Sequence, residues 1–437
     1  MAQDYERQNE LSDPTFTLGT IGLGVAADSP VWGAAGWTEI ATRLRRSARN
    51  YGGRKAMTVR VDVAPSVLSW ALDVTGTDEE GLHRRFKIDQ WLAAESRPTL
   101  KQLQNFAKAT GVPFGYLLLP QPPAWALPVP DFREGFDQAP TPSANLIAIL
   151  GQSQRRQDWY RDYALGLGAE PLQFVGSAAD LEPIEAAARI RSALDFEVSS
   201  RHGSWSGTRK TLLKAFEALG GLTVATSMVE NNTRRPLDEN EFRGFALVDD
   251  IAPLVFVNTH QTLNGQIFTL AHEFAHVWRG ASGIGNEDPR TDGQTAIERW
   301  CNAVASEVLV PRADLAARHS IVANAPLTEA LDALAHDFRC GTLVVLQALH
   351  RTGVRQIDNY NGAYDAEVVR LRNLSTAGDS GGGDHYNNQP FRVGERLSRA
   401  LVADALEGRT SIDEAMRLMS MKSLSTFDEY ARRLGAA

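Results

Sequence analysis

A chain of 437 residues, 43% hydrophobic and 22% charged, can bury a sizeable core and is neither wholly disordered nor fibrous. Lys and Arg number 45 against 53 Asp and Glu, a net charge of -8, which excludes a whole-chain polyanion binder but leaves room for a local basic patch. Two cysteines, Cys301 and Cys340, exclude a disulfide framework and make a cytoplasmic protein with free thiols the simplest reading. Met1 to Glu6 lack the basic start of a signal peptide, and no run of about 18 apolar residues occurs, so no membrane partner is expected.

In chain order, residues 1–40 are Gly- and Ala-rich and read as a tail, and the basic run Thr38 to Arg49 predicts a helix. Met57 to Val63 alternates like a short strand. Short helices follow: one from Pro65, one capped by Asp78, one over Ile88 to Ala94, and one capped by Thr99 and stopped by Gly111. Pro120, Pro122, Pro123, Pro128 and Pro130 form a linker or extended strap, with Asp131-Phe132-Arg133 after it as a structural dock. Helices are expected over Asn145 to Leu167, Ile184 to Leu194 and Thr208 to Leu219. The pattern then changes to strands over Leu222 to Ala225, Phe242 to Val248 and Leu254 to Val257, rich in Val and Phe. Ile267 to Arg279 and Thr295 to Leu309 are helical again, and Leu327 to Gly353 reads as a helix pair. A flexible linker covers 375–390, and Phe391 to Leu434 is a small helical module.

The strongest chemical signal is His272-Glu273-Phe274-Ala275-His276. Histidines at i and i+4 share one helix face, so their imidazoles can hold one Zn2+, and Glu273 beside the first can act as general base. With nine His in the chain, this five-residue pattern is expected by chance only about 0.01 times. The helix is apolar nearly all round, so it is buried, and polar groups buried there need partners. A third ligand is required. Ser282 stands where a metzincin has its third His, which excludes that class. Glu298, opening the next helix, is the favoured third ligand and Glu307 the runner-up, with Asn302 placed to support the ligands and Cys301 read as core, pointing away from Glu298. His260 and His350 are candidate oxyanion stabilisers, although a lone His is more often structural.

Phe268 to His276, Glu298 to Asn302, Ala305 to Pro311 and the strand Pro253 to Asn258 resemble the ImmA/IrrE family of metallopeptidases, over roughly residues 210–350. The resemblance implies a gluzincin-like fold, a sheet-edge role for Pro253 to Asn258 in holding extended substrate, and cleavage of XRE-class DNA-binding repressors in stress, phage or mobile-element regulation. The segment from Arg392 onward also resembles tails found on this family.

Pro65 to Leu119 resembles an XRE-type helix-turn-helix domain, best over Trp91 to Leu100. It departs from that pattern where only Lys87 separates Phe86 from Ile88, so the base-reading part is trimmed. From Arg43 to Lys108 there are 13 Lys/Arg against 7 Asp/Glu, an excess that supports phosphate attraction rather than base reading. Arg84, Arg85, Lys87 and Arg97 are the candidate DNA contacts.

The expected fold class is α+β, mostly helical. The expected divisions are a tail (1–40), an XRE-like domain (41–120), a proline strap and helical linker region (121–205), a zincin-like domain with a small sheet (206–374), a linker (375–390) and a C-terminal helical module (391–437). The expected function is a zinc-dependent endopeptidase with Glu273 catalytic and His272, His276 and Glu298 on the metal, acting on a protein substrate such as an XRE-type repressor. The competing reading is a regulator or antitoxin that binds DNA or a cognate toxin and uses the zincin fold as a scaffold.

Overall fold

The computed structural model describes residues 59–75, 79–123, 127–132, 141–285, 295–375 and 392–435. The helix expected over Thr38 to Arg49, the Asp78 cap and the linker 376–390 lie outside the described residues. The chain divides into two compact units: Met1–Ala126 with Thr141–Asn145, and Leu127–Pro140 with Leu146–Ala437.

Among the described residues the first unit holds four short helices, α1 (Pro65–Asp73), α2 (Glu79–Arg85), α3 (Ile88–Leu92) and α4 (Leu100–Thr110), and a 3-10 turn at Phe114–Leu118. Pro65 starts α1 at no cost, because the first helical N–H has no partner in any helix. Thr99 and Gln102 form a reciprocal capping box at the start of α4, and Gly111 ends it in the left-handed conformation. Helices this short are marginal alone. Their order comes from a shared core in which Phe86, Trp91 and Phe106 meet with ring centroids 5.5 to 6.1 Å apart. Of the strand expected over Met57 to Val63, residues 59–63 contribute one isolated bridge, Arg60 to Thr99, and residues 57 and 58 lie outside the described residues.

The second unit is built on a five-stranded sheet. Its strands are β1 (Asp131–Phe132), β2 (Leu222–Thr226), β3 (Gly244–Leu247), β4 (Leu254–Asn258) and β5 (Gly283–Gly285), in the order β1-β5-β3-β4-β2. β4 is parallel to β2 and antiparallel to β3, while β5 is antiparallel to β3 and parallel to β1. Flanked on both sides, β4 lies inside the sheet, so the edge position expected for Pro253 to Asn258 is corrected: its backbone groups are already spent on β2 and β3.

Alternation along the strands divides the unit into two cores. Ala246, Val255 and Val257 face one side, where they pack with α6 (Pro183–Ala193), α7 (Trp205–Ala218), α8 (Leu263–Arg279), α9 (Ala296–Leu309), α11 (Leu327–Phe338) and α12 (Thr342–Thr352). α10 (Arg312–Val322) and α13 (Tyr360–Ser375) flank this helical layer. Phe245, Leu247, Leu254, Phe256 and Ile284 face the other side, against α5 (Ala144–Gly166) and the C-terminal α14 (Glu395–Leu406), α15 (Ile412–Leu418) and α16 (Leu424–Arg433).

The C-terminal helices are anchored at their entrance. Gly394 has φ +79°, and a Cβ there would meet Glu217 Oε1 at 2.5 Å and the Thr223 carbonyl at 2.6 Å. Arg396 then donates to the Glu217 carbonyl and to Tyr160 Oη. The architecture is α+β and mostly helical. No helix among the described residues is long and apolar enough to cross a membrane.

Candidate metal centre

α8 carries the His-Glu-x-x-His pattern and is buried from Gln266 to Trp278. Its start is capped by Thr262, and it ends at Gly280 in the left-handed conformation, where Gly280 N–H closes on the carbonyls of His276 and Val277. α9 packs along it. Thr295 caps α9 by accepting from Glu298 N–H, which sets Glu298 in the first turn, where the helix dipole favours a carboxylate.

The two helices bring His272, His276 and Glu298 together, with their candidate ligand atoms within 4.8 Å of one another. His272 Nε2 and His276 Nε2 are 3.1 Å apart. Glu298 Oε2 lies 3.1 Å from His272 Nε2 and its Oε1 lies 3.1 Å from His276 Nε2. The far nitrogens face acceptors: His272 Nδ1 lies 2.9 Å from Asn302 Oδ1, and His276 Nδ1 lies 3.0 Å from the Ala281 carbonyl. Each ring therefore presents Nδ1 to an acceptor and turns Nε2 toward the carboxylate, the orientation in which Nε2 serves as a metal ligand.

Three electron-rich atoms at this spacing repel one another unless a cation lies between them. Donors at 2.0–2.1 Å from a tetrahedral zinc ion are about 3.3 Å apart, close to the spacing here. Glu298 Oε1 is buried and accepts no hydrogen bond from any described residue, as expected of an oxygen kept for a metal. The donor set therefore fits one divalent cation of the zinc type.

Electrostatics point the same way. Burial pushes the Glu298 carboxyl up, but the imidazoles of His272 and His276 outweigh it and hold it below the ordinary carboxylate range. Burial disfavours charge on His276, yet Cys301 and Glu298 raise its pKa to about 9.

Glu273 is 1% exposed and lies against the sheet. A Cβ on Gly244 of β3 would stand 2.6 Å from Glu273 Oε1 and 2.5 Å from Thr269 Cγ2, so glycine leaves the room the carboxylate occupies. Gly244 is opposite Gly285 of β5 and Val257 of β4.

The other residues singled out in the sequence lie elsewhere. Glu307 turns to the start of α10, where its Oε1 accepts from Arg312 N–H, and it is outside the cluster. Cys301 is buried in the core, as read from the sequence, and is outside the ligand cluster, although it lies close enough to His276 to raise its pKa. His260 bonds the Leu237 carbonyl through Nδ1, and His350 stacks on Tyr360 at 4.3 Å. Neither belongs to the cluster. Arg84, Arg85, Lys87 and Arg97 are exposed on the first unit, where Arg84 pairs with Glu80 and Arg97 with Asp62. Of the 13 basic residues between Arg43 and Lys108, six (Arg43, Arg45, Arg46, Arg49, Arg54 and Lys55) lie outside the described residues.

Sequence reading missed the Ala281 carbonyl and Gly244. A backbone carbonyl leaves no signal. A lone glycine inside a predicted strand is itself a sign of close approach, and it marks Gly244.

Residues 217–350 match the peptidase M78 family model, described as IrrE N-terminal-like domain, and residues 393–433 match a domain of unknown function (DUF8813). No curated protein and no solved structure matches the chain. The matched segment begins in α7 and contains β2 to β5, α8, α9 and the His-His-Glu cluster, so this part of the chain is similar to a metallopeptidase domain.

Proposed function

We propose that the protein is a zinc-dependent endopeptidase in which His272, His276 and Glu298 hold the metal and Glu273 is the general base. The observation that carries this reading is the convergence of three buried donors, two of them on imidazoles whose far nitrogens face acceptors, beside a buried carboxylate that is not a donor. When bound, zinc supplies Lewis-acid polarisation of water and of the scissile carbonyl. Asn302 and the Ala281 carbonyl hold the two rings in place. Glu273 accepts a proton at its carboxylate and returns it to the departing amine.

The substrate class is polypeptide. An XRE-type repressor is the substrate implied by the resemblance to the ImmA/IrrE family; the match of residues 217–350 supports the coarser reading, a metallopeptidase domain acting on protein. Two free, buried cysteines fit a reducing, cytoplasmic setting. Exposed Arg84, Arg85, Lys87 and Arg97 would give the first unit salt-sensitive, weakly sequence-dependent attraction to DNA.

A second reading is a regulator or antitoxin using the domain as a scaffold. It is favoured by the enclosure of the site, where His272, Glu273, His276 and Glu298 are each at most 2% exposed as residues.

The ligand set is tested by elemental analysis of purified variants. His272→Ala and Glu298→Ala should each lose most of the metal, while Glu307→Ala keeps about one ion per chain. Metal kept in Glu298→Ala and lost in Glu307→Ala would reverse the assignment.

A further inference from the structure

β5 lies beside the metal cluster, flanked by β3 and β1. The loop leading from α8 into β5 provides the Ala281 carbonyl that holds His276, and Gly285 of β5 is opposite Gly244, which abuts Glu273. One edge of β5 is paired with β3. Its other edge is taken by β1, in parallel register Asp131 to Ile284 and Phe132 to Gly285, with Ile284 N–H donating to the Pro130 carbonyl at 3.1 Å.

β1 does not come from the segment that matches the peptidase domain, which begins at residue 217. It belongs to a stretch, Leu127–Pro140, that clusters with the second unit although the chain on both sides of it clusters with the first. Without this stretch the domain's sheet would present β5 as an open edge, and an open edge beside a peptidase centre is a template for an extended chain.

The strap is also built to hold weakly. Leu127 and Val129 are half-buried against the sheet's outer core while Pro128 and Pro130 are exposed. A residue's N–H and C=O point to the same side of a strand, so Pro130, whose carbonyl accepts from Ile284, has no N–H to offer in return. The ladder therefore cannot extend back toward Ser282, and among the described residues it comprises Asp131 and Phe132. An ordinary peptide on the same edge could continue it.

We propose that residues Leu127–Phe132 are an autoinhibitory strap: through β1 at their end they occupy the β5 edge that an extended polypeptide must take to reach the metal cluster, and substrate enters only when they leave. This rests on the peptidase reading of the site. It also accounts for a polypeptide-processing centre whose groups are closed to solvent, since opening must come before cleavage.

The test uses the full chain in the Glu273→Gln background, which cannot turn substrate over, with fluorescein-labelled β-casein as an extended polypeptide probe. Binding is read by anisotropy, and strap release by hydrogen exchange at the Ile284 amide. Leu127→Ser with Val129→Ser should speed exchange at Ile284 and tighten casein binding about tenfold, by raising the fraction of molecules with a free edge. Pro130→Val, which restores the missing N–H, should slow exchange and weaken casein binding; this arm stands even if the double variant folds poorly. Equal casein affinity in parent and Pro130→Val despite a change in Ile284 exchange would overturn the proposal. So would Ile284 exchange that neither variant alters.

The two readings fail separately. Strap-dependent casein binding with no cleavage by the chain carrying Glu273 sinks the peptidase and keeps the strap. Cleavage at one rate whatever the state of the strap does the reverse.

Discussion

The two faces of the sheet are made of different residues and do different work. Toward α5 and the C-terminal helices the strands present Phe245, Phe256, Leu254 and Ile284, with Phe245 and Phe256 stacked across β3 and β4 at 4.6 Å. Toward α8 they present Ala246, Val255 and Val257, and the Gly244–Gly285 pair in place of large side chains. One face is filled for stability and the other is emptied so that backbone and a carboxylate can meet. A fold can thus place a reactive group by omitting atoms as well as by adding them.

The largest expected effect is on the filled face. Phe256→Ala should cost about 3–5 kcal/mol in denaturant-induced unfolding, because the buried ring leaves a cavity between two layers, while metal content per folded chain stays unchanged. A loss of metal at equal folding would show that the two faces are not separable.

On the emptied face, Gly244→Ala places a methyl where Glu273 Oε1, Thr269 and the Phe256 carbonyl already stand. Overpacking of this kind costs about 1–3 kcal/mol of stability. Its distinguishing effect should be on proteolysis, which falls by about 10- to 100-fold as the base is displaced, with the three metal donors intact. Full proteolysis in Gly244→Ala would mean that the close approach is incidental.

The smallest effect concerns pH. With His276 raised to about 9 in the metal-free protein, a metal must displace its proton at any pH below that value. Apparent zinc affinity, read by chelator competition, should therefore rise about tenfold per pH unit from 7 to 9 and then level off. In the metal-free fold the sign is opposite: the raised His276 pKa stabilises most at low pH, and that contribution fades as pH rises through about 9. Affinity that is flat from pH 7 to 9 would contradict the ligand role of His276.

Much of this was readable from residues alone, for identifiable reasons. β2, β3 and β4 announce themselves through runs of Val, Phe and Leu, and α8 through an apolar sequence that carries its own ligand pair at i and i+4. β1 and β5 were missed because Asp131-Phe132 and Gly283-Ile284-Gly285 have neither length nor alternation. They are strands only by virtue of what they pair with. α10 and α13 were missed too, and their apolar periodicity is weak. The interior position of β4 follows from topology, which no local pattern encodes. Glu298 could be found from its place one turn before Asn302 on a capped helix, whereas the Ala281 carbonyl that holds His276 could not.

The central claim is that Glu273 performs chemistry at a metal held by its neighbours. The most direct measurement compares the proteomes of cells carrying wild-type protein and Glu273→Gln after DNA damage, with metal content determined for both purified proteins. Glutamine keeps the size and hydrogen-bonding capacity of the side chain but removes the base, so both proteins should carry equal metal. A specific polypeptide should be lost in wild-type cells, and its cleavage should fall about 100-fold or more in the variant. Identical proteomes at full metal content would contradict the account and leave the domain as a binding scaffold.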